Sequence, residues 1–248
     1  MSQSSLSGPV MVAGADLLSN SSTQLMTIGA YAETPDGRGY RYAKVGATAT
    51  VPGKVYVAAA WDGTNQAPVG GLAVSATAAI GATSVTISTS TTLAVNLLAG
   101  GYLCTDVTPG EGYLYRIKGN TATAGAAGLV ITLEDPLVIA LTSASNVTVV
   151  KHPYDAIIVS PGAASTGQPV GVANQIITAT YYGWVQTYGA CSVLAGTATS
   201  ISLPGVPVTP GATTAGTVIL STAILPTIGW AMQLMTATEY NLVYLTIH

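Results

Sequence analysis

Residues 156–238 run for 83 positions without one Asp, Glu, Lys or Arg, and residues 63–105 form a second charge-free run. A segment that long and that uncharged belongs either in a membrane or against other protein. A spanning helix needs about 20 consecutive apolar residues, and Thr, Ser, Gly, Pro and Asn interrupt both runs throughout. Across the whole chain 7% of residues are charged, where an ordinary soluble domain carries about a quarter. The expected environment is a protein surface, which points to a subunit of a large assembly.

The same residues indicate the fold class. Phe is absent, so Val, Ile, Leu, Tyr and three Trp must build the core, while 28 Gly and 13 Pro punctuate the chain too often for long helices. The reading is all-β: an antiparallel β-barrel or sandwich with an inserted small β lobe and an extended N-terminal arm. The arm covers residues 1–24, the main β domain 25–71 and 152–248, and the inserted lobe 72–151. Residues 26–31 and 39–45 are expected to form a hairpin, turned by Asp36 and Gly37, with Tyr40 and Tyr42 on one face. In the lobe, Val85 and Ile87 alternate with Ser84, Thr86 and Ser88, as a strand with one buried face requires. Strands are expected at 54–59, 83–88, 101–106, 112–118, 128–133, 146–151, 155–159, 168–172, 175–178, 181–188, 192–194, 200–203 and 240–247. Residues 92–98 are the one expected helical turn, and 204–216 read as a flexible loop.

Little in the chain can do chemistry. Of two histidines, His152 precedes Pro153 and His248 lies at the far C-terminus, with no partner at metal or triad spacing. Glu134 and Asp135 are adjacent, so on a strand they point to opposite faces and suit a turn before Pro136 better than an acid–base pair. Phosphate loops, dinucleotide fingerprints, nucleophile elbows and Cys-x-x-Cys pairs do not occur. No catalytic residue, metal or cofactor is expected, and the chain does not read as an enzyme. A net charge of −3 with seven Lys and Arg argues against nucleic acid. Membrane is not an expected partner either, since the N-terminus lacks a basic stretch followed by an apolar one and Pro recurs within strands. Cys104 and Cys191 are read as buried free thiols.

The residues proposed for contact with partners are few. Arg38, Arg41 and Lys44 lie on the first hairpin, and strand parity places Arg116 and Lys118 on one face. Trp184, in an apolar strand, is assigned to the core. Trp61, among polar neighbours, and Trp230 are candidate interface side chains.

Four stretches carry a resemblance: Gly110, Glu111, Gly112, Tyr113, Leu114, Tyr115, Arg116, Ile117 and Lys118; Leu133, Glu134, Asp135, Pro136 and Leu137; Asp36, Gly37, Arg38, Gly39, Tyr40, Arg41 and Tyr42; and Tyr182, Gly183, Trp184, Val185 and Gln186. Over roughly residues 36 to 195 the chain resembles the head decoration, or cement, proteins of tailed bacteriophages. That resemblance implies a β-rich homotrimer that binds the outer surface of the capsid and bridges major capsid protein subunits, without catalytic residues. The expected location is the virion exterior, after synthesis in the host cytoplasm without a signal peptide. The competing expectation is a head fibre or receptor-binding adhesin that recognises a host surface glycan through Trp61, Trp230 or exposed Tyr.

Overall fold

The structure, a computed structural model, describes residues 10–247 apart from 12–13, 63–65, 67–69, 91, 124–127, 164–165, 198–200 and 222–225. In chain order its elements are β1 (Val10–Met11), the single helical turn α1 (Gly14–Leu17), β2 (Tyr31–Glu33), β3 (Gly39–Lys44), β4 (Val55–Val57), β5 (Leu72–Ala76), β6 (Ser84–Ser88), β7 (Tyr102–Thr105) and β8 (Leu114–Asn120). They continue with β9 (Gly128–Leu133), β10 (Asn146–Val150), β11 (Ile158–Val159), β12 (Pro169–Ala173), β13 (Tyr182–Leu194), β14 (Pro207–Pro210), β15 (Val218–Leu220), β16 (Gly229–Ala231) and β17 (Tyr240–Thr246). The chain is all-β, and it divides into two compact units, residues 1–59 with 153–248 and residues 60–152. Among the described residues no helix is long and apolar enough to cross a membrane.

The first unit is built on an 11-stranded sheet with the path β1-β2-β3-β13-β17-β16-β14-β15, while β4, β11 and β12 pair with one another and, through β12, with β13. Its hairpin turns where the sequence places it: Gly37 donates to the Thr34 carbonyl at 2.9 Å and adopts φ 80°, a conformation that suits Gly. The strand before the turn is Tyr31–Glu33 rather than 26–31, because Arg41, Tyr40 and Gly39 pair with Tyr31, Ala32 and Glu33. Tyr40 and Tyr42 share a buried face with Trp184, whose ring meets Tyr42 edge-on at 5.1 Å, so Trp184 is a core residue. Residues 181–188 and 192–194 are one strand of 13 residues, β13, continuous through Gly189. Pro169 opens β12 beside a register shift, the position where a missing N–H does least harm.

Several expected elements are corrected here. Residues 204–216 are not a loop throughout, since Pro207–Pro210 form β14 between β15 and β16, with Val208 and Thr209 buried. Residues 175–178 form no strand: Gln175 turns inward and donates to the Leu17 and Ser19 carbonyls, 2.9 Å each, anchoring the end of the arm. Ile201 makes only an isolated bridge to Met235, and residue 200 lies outside the described residues, as do residues 1–9 of the arm. The strand expected at 155–159 is reduced to Ile158–Val159.

The second unit is a closed barrel of six antiparallel strands in the order β10-β5-β6-β9-β8-β7, with β7 pairing back to β10. Val85, Ile87, Leu103, Ile117, Leu129, Ile131, Val147 and Val149 fill the interior. Ser84, Thr132 and Lys118 alternate with them on the outside. Membrane-spanning barrels alternate in the opposite sense, apolar outward around a polar lumen. Register shifts at Val74/Ala76 and Ile117/Gly119 supply the local bends that closure requires. Two expectations fail in this unit. Leu72–Ala76 was not expected to be a strand, yet β5 completes the ring. The expected helical turn at 92–98 is a series of tight turns instead, because Leu93 bridges Thr123 and the Leu98 amide is captured by the Asn120 side chain at 2.9 Å.

Candidate functional site

The basic residues of the first hairpin are engaged within their own unit. Arg38 donates from Nε to Asp36 Oδ2 at 2.7 Å and from Nη1 to the Tyr40 hydroxyl at 3.0 Å. The Thr34 hydroxyl, donating to Asp36, holds that carboxyl below the usual carboxylate range, with Arg38 adding to the effect. Arg41 bonds the Gly29 carbonyl at 2.9 Å and lies 5.0 Å over the Tyr31 ring, and Lys44 sits 5.6 Å over the ring of Tyr182. In the barrel unit, Arg116 and Lys118 share the outer face of β8, and Arg116 pairs with Glu134 at 3.2 Å. Exposed pairs of this kind contribute about 0–1 kcal/mol each. Arg41 and Lys44 lie on β3 just after Arg38, and Arg116 and Lys118 lie on β8 of the other unit. Trp61 is 60% exposed, although nearby Gln66 is buried and its carbonyl accepts from the Val149 amide at 2.8 Å.

Apolar surface converges instead. Strands β13, β17, β16, β14 and β15 are consecutive in the sheet and contain no charged residue. β17 alternates, with Asn241, Val243 and Leu245 facing the core and Tyr240 and Leu242 exposed. Trp230 pairs with Tyr244, and the Met232 amide bonds the Leu242 carbonyl at 3.0 Å, so Trp230, Met232 and Leu242 stand together on the outer face. Trp230 is 45% exposed. The barrel presents a second apolar area at one end. There the β5–β6 turn reaches the segment after β9 through Gly81 to Leu137, and Tyr115 accepts from the Val138 amide. Ile80, Val107, Tyr113, Leu114 and Val138 are exposed around that end.

The third feature is a cleft on β13. β3 pairs with β13 only as far as Gly39 opposite Tyr188. Beyond that point the fully buried side chain of Gln186 donates from Nε2 to the Tyr188 and Ala190 carbonyls, 2.9 Å each. Its Oε1 accepts from Asn174 Nδ2 at 2.6 Å and, more distantly, from the Tyr40 hydroxyl at 3.4 Å. Above this network lies a cavity of about 530 Å³ walled by Pro52, Gly53, Ser192 and Tyr240, with Arg38 and Asn174 in its lining. Sequence reasoning placed Arg38 in an interface and overlooked the rest. The available signal was Gln186 itself, an amide in the middle of an otherwise apolar strand.

Among the described residues no three His, Cys, Asp or Glu side chains come together as a metal site would require. His152 stacks at 6.2 Å on Tyr102, and His248 lies outside the described residues. No family model, curated protein or solved structure matches the chain.

The cysteines are free, but Cys104 is half-buried rather than buried because it sits on the outer face of β7. Burial pushes the Cys191 thiol up to about 12, against a smaller opposing pull from Arg38. The native thiol therefore stays protonated while the unfolded one ionises near 8.5, so this group favours unfolding increasingly as pH rises above that value. At pH 8 a maleimide should modify Cys191 only on unfolding, with Cys104 reacting first in the native protein. Peptide mapping that finds Cys191 labelled as fast as Cys104 would contradict this environment.

Proposed function

We propose that the chain is a structural virion protein that decorates the outer surface of a tailed-phage capsid, associates with copies of itself as a trimer and bridges major capsid protein subunits. The observation that carries this reading is the run of five adjacent uncharged strands bearing exposed Trp230, Met232 and Leu242. An uncharged face meets a copy of itself without like-charge repulsion, and a lack of charge is characteristic of the buried centre of an interface.

The motif stretches that resemble head decoration proteins add support because they are neighbours in space. Trp184 pairs with Tyr42 in one unit, and Ile117 pairs with Leu133 in the other. The energetics agree. Burying about 1,000 Å² of apolar surface is worth on the order of 25 kcal/mol before association costs, whereas the arginines that might have made ionic contacts already face Asp36 and Glu134.

Light scattering at micromolar concentration should give the mass of a trimer, and native particles should retain the protein when NaCl rises from 0.1 to 1 M, which shortens the screening length from about 10 to about 3 Å. A monomer, or release from particles as salt rises, would overturn the reading.

A further inference from the structure

We infer that the cleft on β13 binds a neutral oligosaccharide. Its volume of about 530 Å³ falls within the roughly 300–1,000 Å³ of small-molecule sites. A second hollow of about 270 Å³, lined by Leu17, Leu18 and Tyr40, shares Arg38 and Asn174 with the first. The same two polar side chains therefore border both the cleft and a smaller neighbouring hollow, which gives room for a chain of more than one sugar ring.

The chemistry of the walls selects the ligand class. Arg38 has five N–H donors, and its bonds to Asp36 and Tyr40 leave others for a ligand. Among the described residues Asn174 Oδ1 accepts from the Cys191 thiol, a weak donor at 3.4 Å, so it keeps acceptor capacity. The Ser192 side chain is exposed in the wall. Donors and acceptors thus alternate over a short distance, which hydroxyl groups match because each can both donate and accept. Tyr240 supplies the apolar wall. Gly53 lies so close to its ring that a Cβ there would overlap two ring carbons, so the aromatic side chain packs against backbone while remaining half exposed.

Other ligand classes fit less well. Asp36 neutralises Arg38, and no second cation lines either hollow, so an anion gains little. An apolar ligand would cover Arg38 and Asn174 without pairing them, which disfavours it. Ser192 pairs across the sheet with Leu242, and Tyr240 lies two residues from Leu242 on the same exposed face, so the cleft borders the surface proposed for self-association and the mass of each variant is measured alongside its sugar binding.

Saturation-transfer NMR on the full chain tests the inference, with maltotriose, cellotriose, N-acetylchitotriose and a β-1,4-galactotriose as probes. Inorganic phosphate and an apolar fluorescent dye serve as controls. At least one trisaccharide should bind at millimolar concentration, with affinity reduced about tenfold or more in Tyr240→Ala and retained in Tyr240→Phe. Ser192→Trp, which fills the cleft from its exposed wall, should abolish binding without disturbing the core. Failure of all four sugars, binding that survives Ser192→Trp, or preference for phosphate or the dye at this site would overturn it. A monomer that still binds sugar through Tyr240 would support the cleft while overturning the trimer.

Discussion

Replacing Gln186 by Leu should lower the unfolding free energy of its unit by roughly 3–5 kcal/mol, read from urea denaturation. Leucine has nearly the same volume, so the cost is electrostatic rather than steric. The Tyr188 and Ala190 carbonyls lose the donors that replace β3 where that strand stops, and Asn174 and Tyr40 lose their shared acceptor. Each buried polar group left alone costs about 1–3 kcal/mol, and the open cleft lets water recover part of the sum. Gln186→Glu keeps an acceptor for Asn174 and loses both donors, so it should also destabilise, through the carbonyl side. A loss below about 1 kcal/mol for the Leu variant would show that the amide is not what holds β13 together past Tyr188.

The second large effect is on assembly. If the chain is the proposed trimer, Trp230→Glu combined with Leu242→Glu should convert it to a monomer, with the dissociation constant raised by at least about 100-fold, equivalent to about 2.7 kcal/mol. Both side chains point away from the core, so the circular dichroism spectrum and the unfolding midpoint of the monomer should stay close to those of the parent. The contrasting variant is Arg41→Ala, which removes an internal contact to Gly29 and Tyr31 and should leave the mass unchanged. A double Glu variant that remains trimeric would move the subunit contact elsewhere on the molecule.

The legible parts of this fold are those where local pattern and tertiary pairing agree. Val85 and Ile87 alternate with small polar residues and do point into the barrel, and the Asp36–Gly37 turn is set by local geometry, the positive φ of Gly37 and the Thr34 and Asp36 side-chain bonds across it. The missed strands are short segments whose residues do not alternate cleanly. β14 has a Pro at each end, and Leu72–Ala76 pairs on one side with the next strand, β6, and on the other with β10, which is distant in sequence. Tertiary pairing makes them strands, and propensity alone does not show it. The surfaces follow the same division. The scarcity of charge was visible along the chain, and Trp230 and Trp61 were singled out as aromatic. The grouping of Trp230 with Met232 and Leu242 depends on β17 pairing antiparallel with β16, a register set by the folded pair rather than by alternation within either segment. The cleft depends on Asn174, Gln186 and Tyr240, which only the folded sheet brings near Arg38.

The position of β17 also sets an order of events during synthesis. Among the described residues the barrel strands pair with one another, so residues 60–152 hold the strand partners of the barrel once that stretch has left the ribosome. The other unit must wait. β3 needs β13, β4 needs β11 and β12, and β17 belongs in the interior of the sheet between β13 and β16. At about 5–20 residues per second, the hundred or so residues after the barrel take roughly 5–20 s to appear. During that interval the β2–β3 hairpin, with its apolar Tyr40 and Tyr42 face, is tethered to a finished barrel but has no sheet to join. The nascent chain is then most open to capture by chaperones or by neighbouring chains.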